Sequence, residues 1–304
     1  MDFLQIIVTL LGVIMFLVKI VWELIKIFIP LKYKMKEISG EIALVTGGAG
    51  GLGRSIAIEL SKHGAIVVIW DINEKGIKET IKLIEDAGGI CYGYVCNLIN
   101  REEIYERATQ LKKEVGKVTI LINNAGVFNC QKFQNIPDNK LLETMQVNII
   151  SQFWTTKAFL PEMIECNKGH IVSIASICGY RGCPYLADYC SSKYGILGFY
   201  EALEMELYFE GSKINTTVVC PAFIIDTGMN AEKYITSRTM IPNMGHEEVA
   251  RQTIIGMRCN KRNISVPGYT LIIRIINSIF PWAFYPIFTF FIKFMRIPFG
   301  KNCD

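Results

Sequence analysis

Ile42-Ala43-Leu44-Val45-Thr46-Gly47-Gly48-Ala49-Gly50-Gly51-Leu52-Gly53 is the stretch on which the fold turns. Ile42–Val45 is a short apolar run and reads as a buried strand. The glycines read as a tight turn, and a helix begins after them. Gly48, Gly50 and Gly53 satisfy G-x-G-x-x-G, while Gly47, Gly51 and Gly53 satisfy T-G-x-x-x-G-x-G. Both registers carry the same physics. Glycines let the backbone approach a pyrophosphate closely, and the helix start offers free N–H groups and a positive dipole end.

The strand-and-helix rhythm repeats downstream. β-Branched runs recur at Ile66–Trp70, Val118–Ile122, His170–Ile174 and Thr216–Val219, with amphipathic segments such as Asn73–Asp86 and Asn100–Val115 between them. Asn100 followed by Glu103 resembles a capping box at the start of the second segment. Such alternation, from Glu41 to about Pro267, predicts an α/β fold with a parallel sheet covered by helices on both faces. Composition agrees. The 304 residues are 51% hydrophobic and 20% charged, which excludes a disordered chain, and a net charge of +4 gives no support to nucleic-acid binding.

The second strand ends at Asp71, twenty residues beyond Gly51. A carboxylate there accepts hydrogen bonds from an adenosine ribose and repels a 2′-phosphate. The expected cofactor is therefore NAD rather than NADP, although Asp71 also reads as a helix cap or turn residue.

Tyr189-Cys190-Ser191-Ser192-Lys193 sets a phenol and an amine four residues apart, on one face of a helix. A neighbouring ammonium and a cationic nicotinamide favour the phenolate, which brings tyrosine chemistry towards neutral pH. Ser176 follows strand His170–Ile174 and can hold a substrate oxygen. Asn148 is polar among Val147, Ile149 and Ile150, and reads equally as a satisfied buried amide.

Thr46–Gly53, Asp71, Asn123-Asn124-Ala125-Gly126, Asn148, Ser176, Tyr189 and Lys193 together, in order and spacing, resemble the short-chain dehydrogenase/reductase family. The segments Val68–Asn73, Phe153–Pro161 and Asp188–Lys193 are similar to its membrane-associated branch of retinol and 17-beta-hydroxysteroid dehydrogenases. The resemblance covers roughly residues 38–267 and implies a single Rossmann-type, doubly wound domain and hydride transfer between a nicotinamide cofactor and a lipophilic alcohol or carbonyl, with all-trans-retinol/retinal first and a steroid or other lipid alcohol as alternative. It implies Tyr189 as general acid/base, Lys193 on the nicotinamide ribose, Ser176 on the substrate oxygen, and Asn148 supporting the lysine through a water. It places Gly47, Gly51, Leu52, Gly53, Asp71, Asn97, Asn123, Ala125, Gly126 and Thr227 on the cofactor, together with Tyr189 and Lys193. A homodimer through the helices carrying Asn148 and Tyr189 is implied as well. Asn97 replaces an aspartate common in the family, and Pro221-Ala222 replaces Pro-Gly. A reading from another class is a lipid-droplet or endoplasmic-reticulum surface protein with a structural cofactor site; the intact Ser-Tyr-Lys set argues against it.

The ends differ from the middle. Phe3–Val18 is almost unbroken apolar sequence, and apolar character resumes after Lys19 as far as Ile29, before Pro30, Lys32, Lys34 and Lys36. Residues 1–37 thus read as a membrane anchor and basic linker, with the catalytic domain cytosolic at the endoplasmic reticulum or a lipid droplet. A buried N-terminal helix is the other reading. Residues 268–304 are apolar and aromatic, broken by Pro281 and Pro286, and suit a membrane interface, a substrate-pocket lid, or both. The sequons at Asn215 and Asn263 go unused in a cytosolic domain. The ten cysteines form no C-x-x-C pair and the histidines number three, so no metal site is expected, and a reducing compartment fits the thiols.

Overall fold

The computed structural model describes residues 3–225, 244–280 and 286. Met1–Lys36 and Glu37–Asp304 are separate compact units. In the first, helix α1 (Phe3–Ile27) runs for 25 residues. Its Phe3–Trp22 portion has a mean hydropathy of 2.6 and is nowhere buried. At 1.5 Å per residue the helix is about 37 Å long, enough to cross a hydrocarbon layer of roughly 30 Å.

The second unit is built on strands β1 (Ile42–Thr46), β2 (Ile66–Asp71), β3 (Cys91–Val95), β4 (Ile120–Asn123), β5 (His170–Ile174), β6 (Asn215–Pro221) and β7 (Asn263–Val266). They form one parallel sheet in the order β3-β2-β1-β4-β5-β6-β7. Helices α2 (Gly51–Lys62), α3 (Glu74–Asp86), α4 (Arg101–Glu114), α5 (Asp138–Met145), α6 (Ser151–Glu165), α7 (Ala187–Phe209), α8 (His246–Arg258) and α9 (Leu271–Ile279) complete the described elements.

The side-chain period of two sorts the strands between two cores. Ala43, Val45, Val67 and Ile69 pack on one face with Ile56, Leu60, Ile254 and Met257 of α2 and α8. Leu44, Val68, Trp70 and Leu121 pack on the other with Ile104, Phe159, Ile196 and Tyr200 of α4, α6 and α7. The Trp70 and Phe159 rings meet at 5.7 Å. Both faces being covered explains why the strands read as continuous apolar runs. The strand order reverses between β1 and β4, and a crevice opens there at the carboxyl ends of the strands.

Three local features differ from the sequence reading. β3 and β7 were not among the expected strands. β3 is an edge strand of mixed exposure containing Gly93, and β7 has only four residues, so neither shows a long apolar run. The residues around Asn148 form a π-helical turn, Gln146–Ile150, between α5 and α6. At α4, Asn100 caps the Glu103 N–H as expected, but the Glu103 carboxylate accepts from the Asn97 N–H rather than from Asn100.

Candidate active site

The glycine turn is held from beneath. The Thr46 hydroxyl accepts from the N–H groups of Asn124 (3.0 Å) and Ala125 (3.1 Å), and Asn124 Nδ2 donates to the Thr46 and Gly47 carbonyls (2.9 and 3.3 Å). These bonds join the ends of β1 and β4. Gly47 has φ +67°, and a Cβ on it would lie 2.9 Å from Ala125 Cα. A Cβ on Gly53 would lie 2.0 Å from the Gly47 carbonyl oxygen. The T-G-x-x-x-G-x-G register therefore has a steric reason at both positions. The Arg54 guanidinium, unremarked in the sequence reading, reaches back to the Ala49 and Gly76 carbonyls and pairs with Glu79, fastening the turn to α3.

A cavity of about 540 Å³ lies over this turn. Gly47, Leu52, Gly53, Asp71, Asn97, Ala125, Gly126, Ser176, Tyr189 and Lys193 all line it, as the sequence reading expected. Gly51 does not; with φ +50° it starts α2. Asn123 does not either, and this corrects its expected place in the cleft. It is 1% exposed, its Nδ2 donates to Tyr200 (2.9 Å), and its Oδ1 accepts from Thr155 (2.8 Å). The following residue, Asn124, lines the cavity instead, because consecutive side chains at the end of a strand point to opposite sides. Thr227 lies outside the described residues.

The cavity fits a dinucleotide. Gly50, the N-cap of α2, has no side-chain cap, and a Cβ placed there would meet nothing within 4 Å. The first N–H groups of α2 are therefore open to an anion. Asp71 lines the wall with one oxygen on the Ala49 N–H and the other on the Asn73 N–H, both at 3.0 Å. Each carboxylate oxygen keeps a lone pair for a ribose hydroxyl.

Ser176 ends the turn after β5, and its Oγ accepts from the Cys178 N–H (3.1 Å). Its hydroxyl also faces the Tyr189 phenol closely enough to favour the phenolate. Tyr189, on the first turn of α7, packs edge-on against Phe128 with centroids 5.4 Å apart. Lys193 is 3% exposed, and its Nζ donates to the Ile174 carbonyl (2.9 Å). That nitrogen lies 5.4 Å from the centre of the Tyr189 ring. Burial lowers Lys193 to about 8, so its ammonium is held at a cost. Burial also pushes Tyr189 above its ordinary value, outweighing the Ser176 hydroxyl. The acidification read from the sequence needs the positive charge of a bound nicotinamide beside the Lys193 ammonium, so it belongs to the loaded site.

Asn148 is fully buried and stands behind the cleft. Its Oδ1 accepts from the Val127 N–H (2.7 Å), and its Nδ2 donates to the Val127 carbonyl and Ser192 Oγ (both 3.0 Å). Its own carbonyl accepts from Gln152 Nε2 (2.9 Å). The amide is thus engaged in holding the wall of the cleft. Asp188, also unremarked in the sequence, accepts from Thr144 (2.8 Å) and Asn129 (3.2 Å) and anchors the start of α7 beside Tyr189.

Eight of the described cysteines are free thiols, and Cys130 is disulfide-bonded. Apolar side chains such as Phe128, Val147, Leu186 and Phe223 also line the cavity, Phe128 against the Tyr189 ring. They come from segments distant in sequence, so no local pattern marked them.

The chain matches the family model for short chain dehydrogenases over residues 41–237. It is 40% identical to human 17-beta-hydroxysteroid dehydrogenase 13 over 277 residues, 90% of each chain. It is 48% identical to bovine short-chain dehydrogenase/reductase family 16C member 6 over 224 residues, 73% of this chain and 70% of the relative. Human epidermal retinol dehydrogenase 2 is 37% identical over 257 residues, 84% of this chain and 83% of the relative. Among solved structures, a short-chain dehydrogenase/reductase from Burkholderia phymatum in complex with NAD superposes with a TM-score of 0.73 at 24% identity, covering 80% of this chain and 95% of that one. An actinorhodin polyketide ketoreductase with NADPH gives 0.69 at 28% identity, covering 76% and 97%. The sheet order, the glycine turn over a nicotinamide-cofactor cleft and these matches agree that the chain belongs to the short-chain dehydrogenase/reductase family, in the branch of these hydroxysteroid and retinol dehydrogenases, and is an oxidoreductase.

Proposed function

We propose that the protein is a membrane-anchored, NAD-preferring dehydrogenase of a lipophilic alcohol, with all-trans-retinol as first substrate and a 17-beta-hydroxysteroid as second. One observation carries the reading. Ser176, Tyr189 and Lys193 line the same cavity as the glycine turn, and apolar side chains share its lining, Phe128 against the Tyr189 ring. An apolar wall with a few convergent polar groups suits a lipid alcohol. Helix α1 supports delivery of such a substrate from a bilayer, because its length and hydropathy suit a span. The similarity to a retinol dehydrogenase and to 17-beta-hydroxysteroid dehydrogenases supports the same substrate class.

Gly47, the N–H groups at the start of α2, Asp71 and Lys193 would hold the cofactor. When bound it supplies the hydride acceptor and a positive ring charge. Ser176 accepts or donates a hydrogen bond to the substrate oxygen and keeps it against Tyr189. In oxidation, the Tyr189 phenolate takes the hydroxyl proton as the hydride leaves carbon; in reduction, the phenol returns it. The positive charge in the loaded site favours that phenolate, against the desolvation that raises it in the free protein. Asn148 acts as a positioning residue for the Val127 wall. Asp71 favours NAD by repelling a 2′-phosphate.

The test is turnover by the full chain in membranes. All-trans-retinol, estradiol and a long-chain alcohol are each offered with NAD and with NADP, beside Tyr189→Phe. Retinol oxidation with NAD, lost in Tyr189→Phe, supports the reading. A faster steroid reassigns the substrate. Equal turnover by both proteins sinks the mechanism.

A further inference from the structure

We propose that Cys178, Cys183 and Cys190 form a site for one thiophilic metal ion of the zinc group, beside the substrate end of the cleft. The three sulfur atoms lie within 4.8 Å of one another, and those of Cys178 and Cys183 are 3.8 Å apart. Zinc–thiolate bonds of about 2.3 Å in a tetrahedral array set sulfurs roughly 3.8 Å apart. The triangle is therefore already close to the size an ion requires.

Three different local structures build it. Cys178 lies in the 3₁₀ turn Ile177–Gly179, Cys183 on the loop that follows, and Cys190 on the first turn of α7. Cys178 and Cys190 are buried and Cys183 is partly exposed, which leaves an entry path; all three are free thiols. Burial disfavours the Cys178 and Cys183 thiolates, and two nearby features oppose it. The Cys183 N–H donates to Cys190 Sγ (3.3 Å), the kind of outer bond that orients metal ligands. Positive charge is close, since Arg181 interacts with Cys183 and Lys193 with Cys178. Thiolate donors select zinc-group ions and Cu(I) over hard cations. On binding, each thiol releases its proton to solvent, three metal–sulfur bonds replace three metal–water bonds, and the site carries one net negative charge with a divalent ion. The fourth position stays open to water or a small ligand.

The ligands bracket the loop between Ser176 and Tyr189. Ile177, Cys178 and Leu186 of that loop line the cleft. An ion here would fasten one wall of the substrate end.

The full chain, purified reduced in detergent and stripped with chelator, is titrated with Cd²⁺ while the ultraviolet thiolate-to-metal charge-transfer band is followed, with Zn²⁺ as competitor. One equivalent should saturate the band, and Zn²⁺ should displace it. Cys183→Ser should bind at least tenfold more weakly, with unchanged thermal unfolding and NADH binding showing that it folds. The Cys166→Ser/Cys259→Ser double variant should bind as the parent does. Affinity unchanged in Cys183→Ser, or lost in the double variant, overturns the site. So does absence of the band at one equivalent, or recovery of a Cys178–Cys183 disulfide in place of the thiols from the reduced protein. That result would leave the three thiols as apolar packing around Leu186.

Discussion

The side chain of Asn148 pairs with the backbone of Val127 as a neighbouring strand would, accepting its N–H at 2.7 Å and donating to its carbonyl at 3.0 Å. Twenty-one residues separate them. The π-helical turn at Gln146–Ile150 carries this amide, and Val127 lines the cleft just beyond β4. One buried amide thus closes the wall against which a cofactor would rest.

Asn148→Leu removes three hydrogen bonds and leaves the Val127 backbone groups and Ser192 buried without that partner. The expected loss is on the order of 3 kcal/mol. Thermal unfolding should fall by several degrees, and NADH affinity should weaken with it. An unfolding temperature equal to the parent's would show that the pairing contributes little.

Tyr189→Phe should lower kcat by roughly 10²–10⁴-fold while leaving NADH binding nearly unchanged. Ser176→Ala keeps the phenol but removes the hydroxyl that lowers its titration. Oxidation needs the phenolate, so the acid limb of the oxidation rate profile should move to higher pH in this variant. A profile that stays in place would separate Ser176 from the proton transfer.

Lys193 gives a stability signature with a definite sign. Its folded value of about 8 lies below the ordinary 10.5. Between those values the unfolded chain holds a proton that the folded chain has lost, so stability rises with pH through that window. Below about pH 8 the buried ammonium costs the fold on the order of 3 kcal/mol relative to an unburied one. Lys193→Met should therefore unfold at a higher temperature than the parent at pH 7, and the gap should narrow by pH 10, while activity is lost. Denaturation of both proteins across this range reads it directly.

Asp71→Asn keeps an acceptor for the Ala49 or Asn73 N–H and removes the charge. The preference for NADH over NADPH should shrink by at least about tenfold, equivalent to ~1.4 kcal/mol. Fluorescence titration with both reduced cofactors measures the ratio, and an unchanged ratio would assign discrimination to another residue.

Two glycines three residues apart in the same turn separate packing from binding. Gly53→Ala drives a Cβ to 2.0 Å from the Gly47 carbonyl and 2.6 Å from Asn124 Nδ2, so it should destabilise the fold by roughly 1–3 kcal/mol. Gly50→Ala meets nothing within 4 Å and has an extended backbone that alanine adopts. Its unfolding temperature should match the parent's, and only cofactor affinity should drop, because the methyl projects where the cofactor would lie.

Sequence alone determined the features that depend on chain neighbours. The run Ile42–Val45, the glycine turn and the helix after it belong together because strand burial, tight turning and helix initiation are local, and Tyr189 and Lys193 share a face because a helix repeats every 3.6 residues. Tertiary structure decided what depends on convergence. It turned Asn123 into the core and left Asn124 in the cleft, wrapped Asn148 around Val127, and gathered Cys178, Cys183 and Cys190 without a C-x-x-C spacing. It also buried the Tyr189 phenol, a desolvation that depends on the side chains packed over it and leaves no trace in their order along the chain.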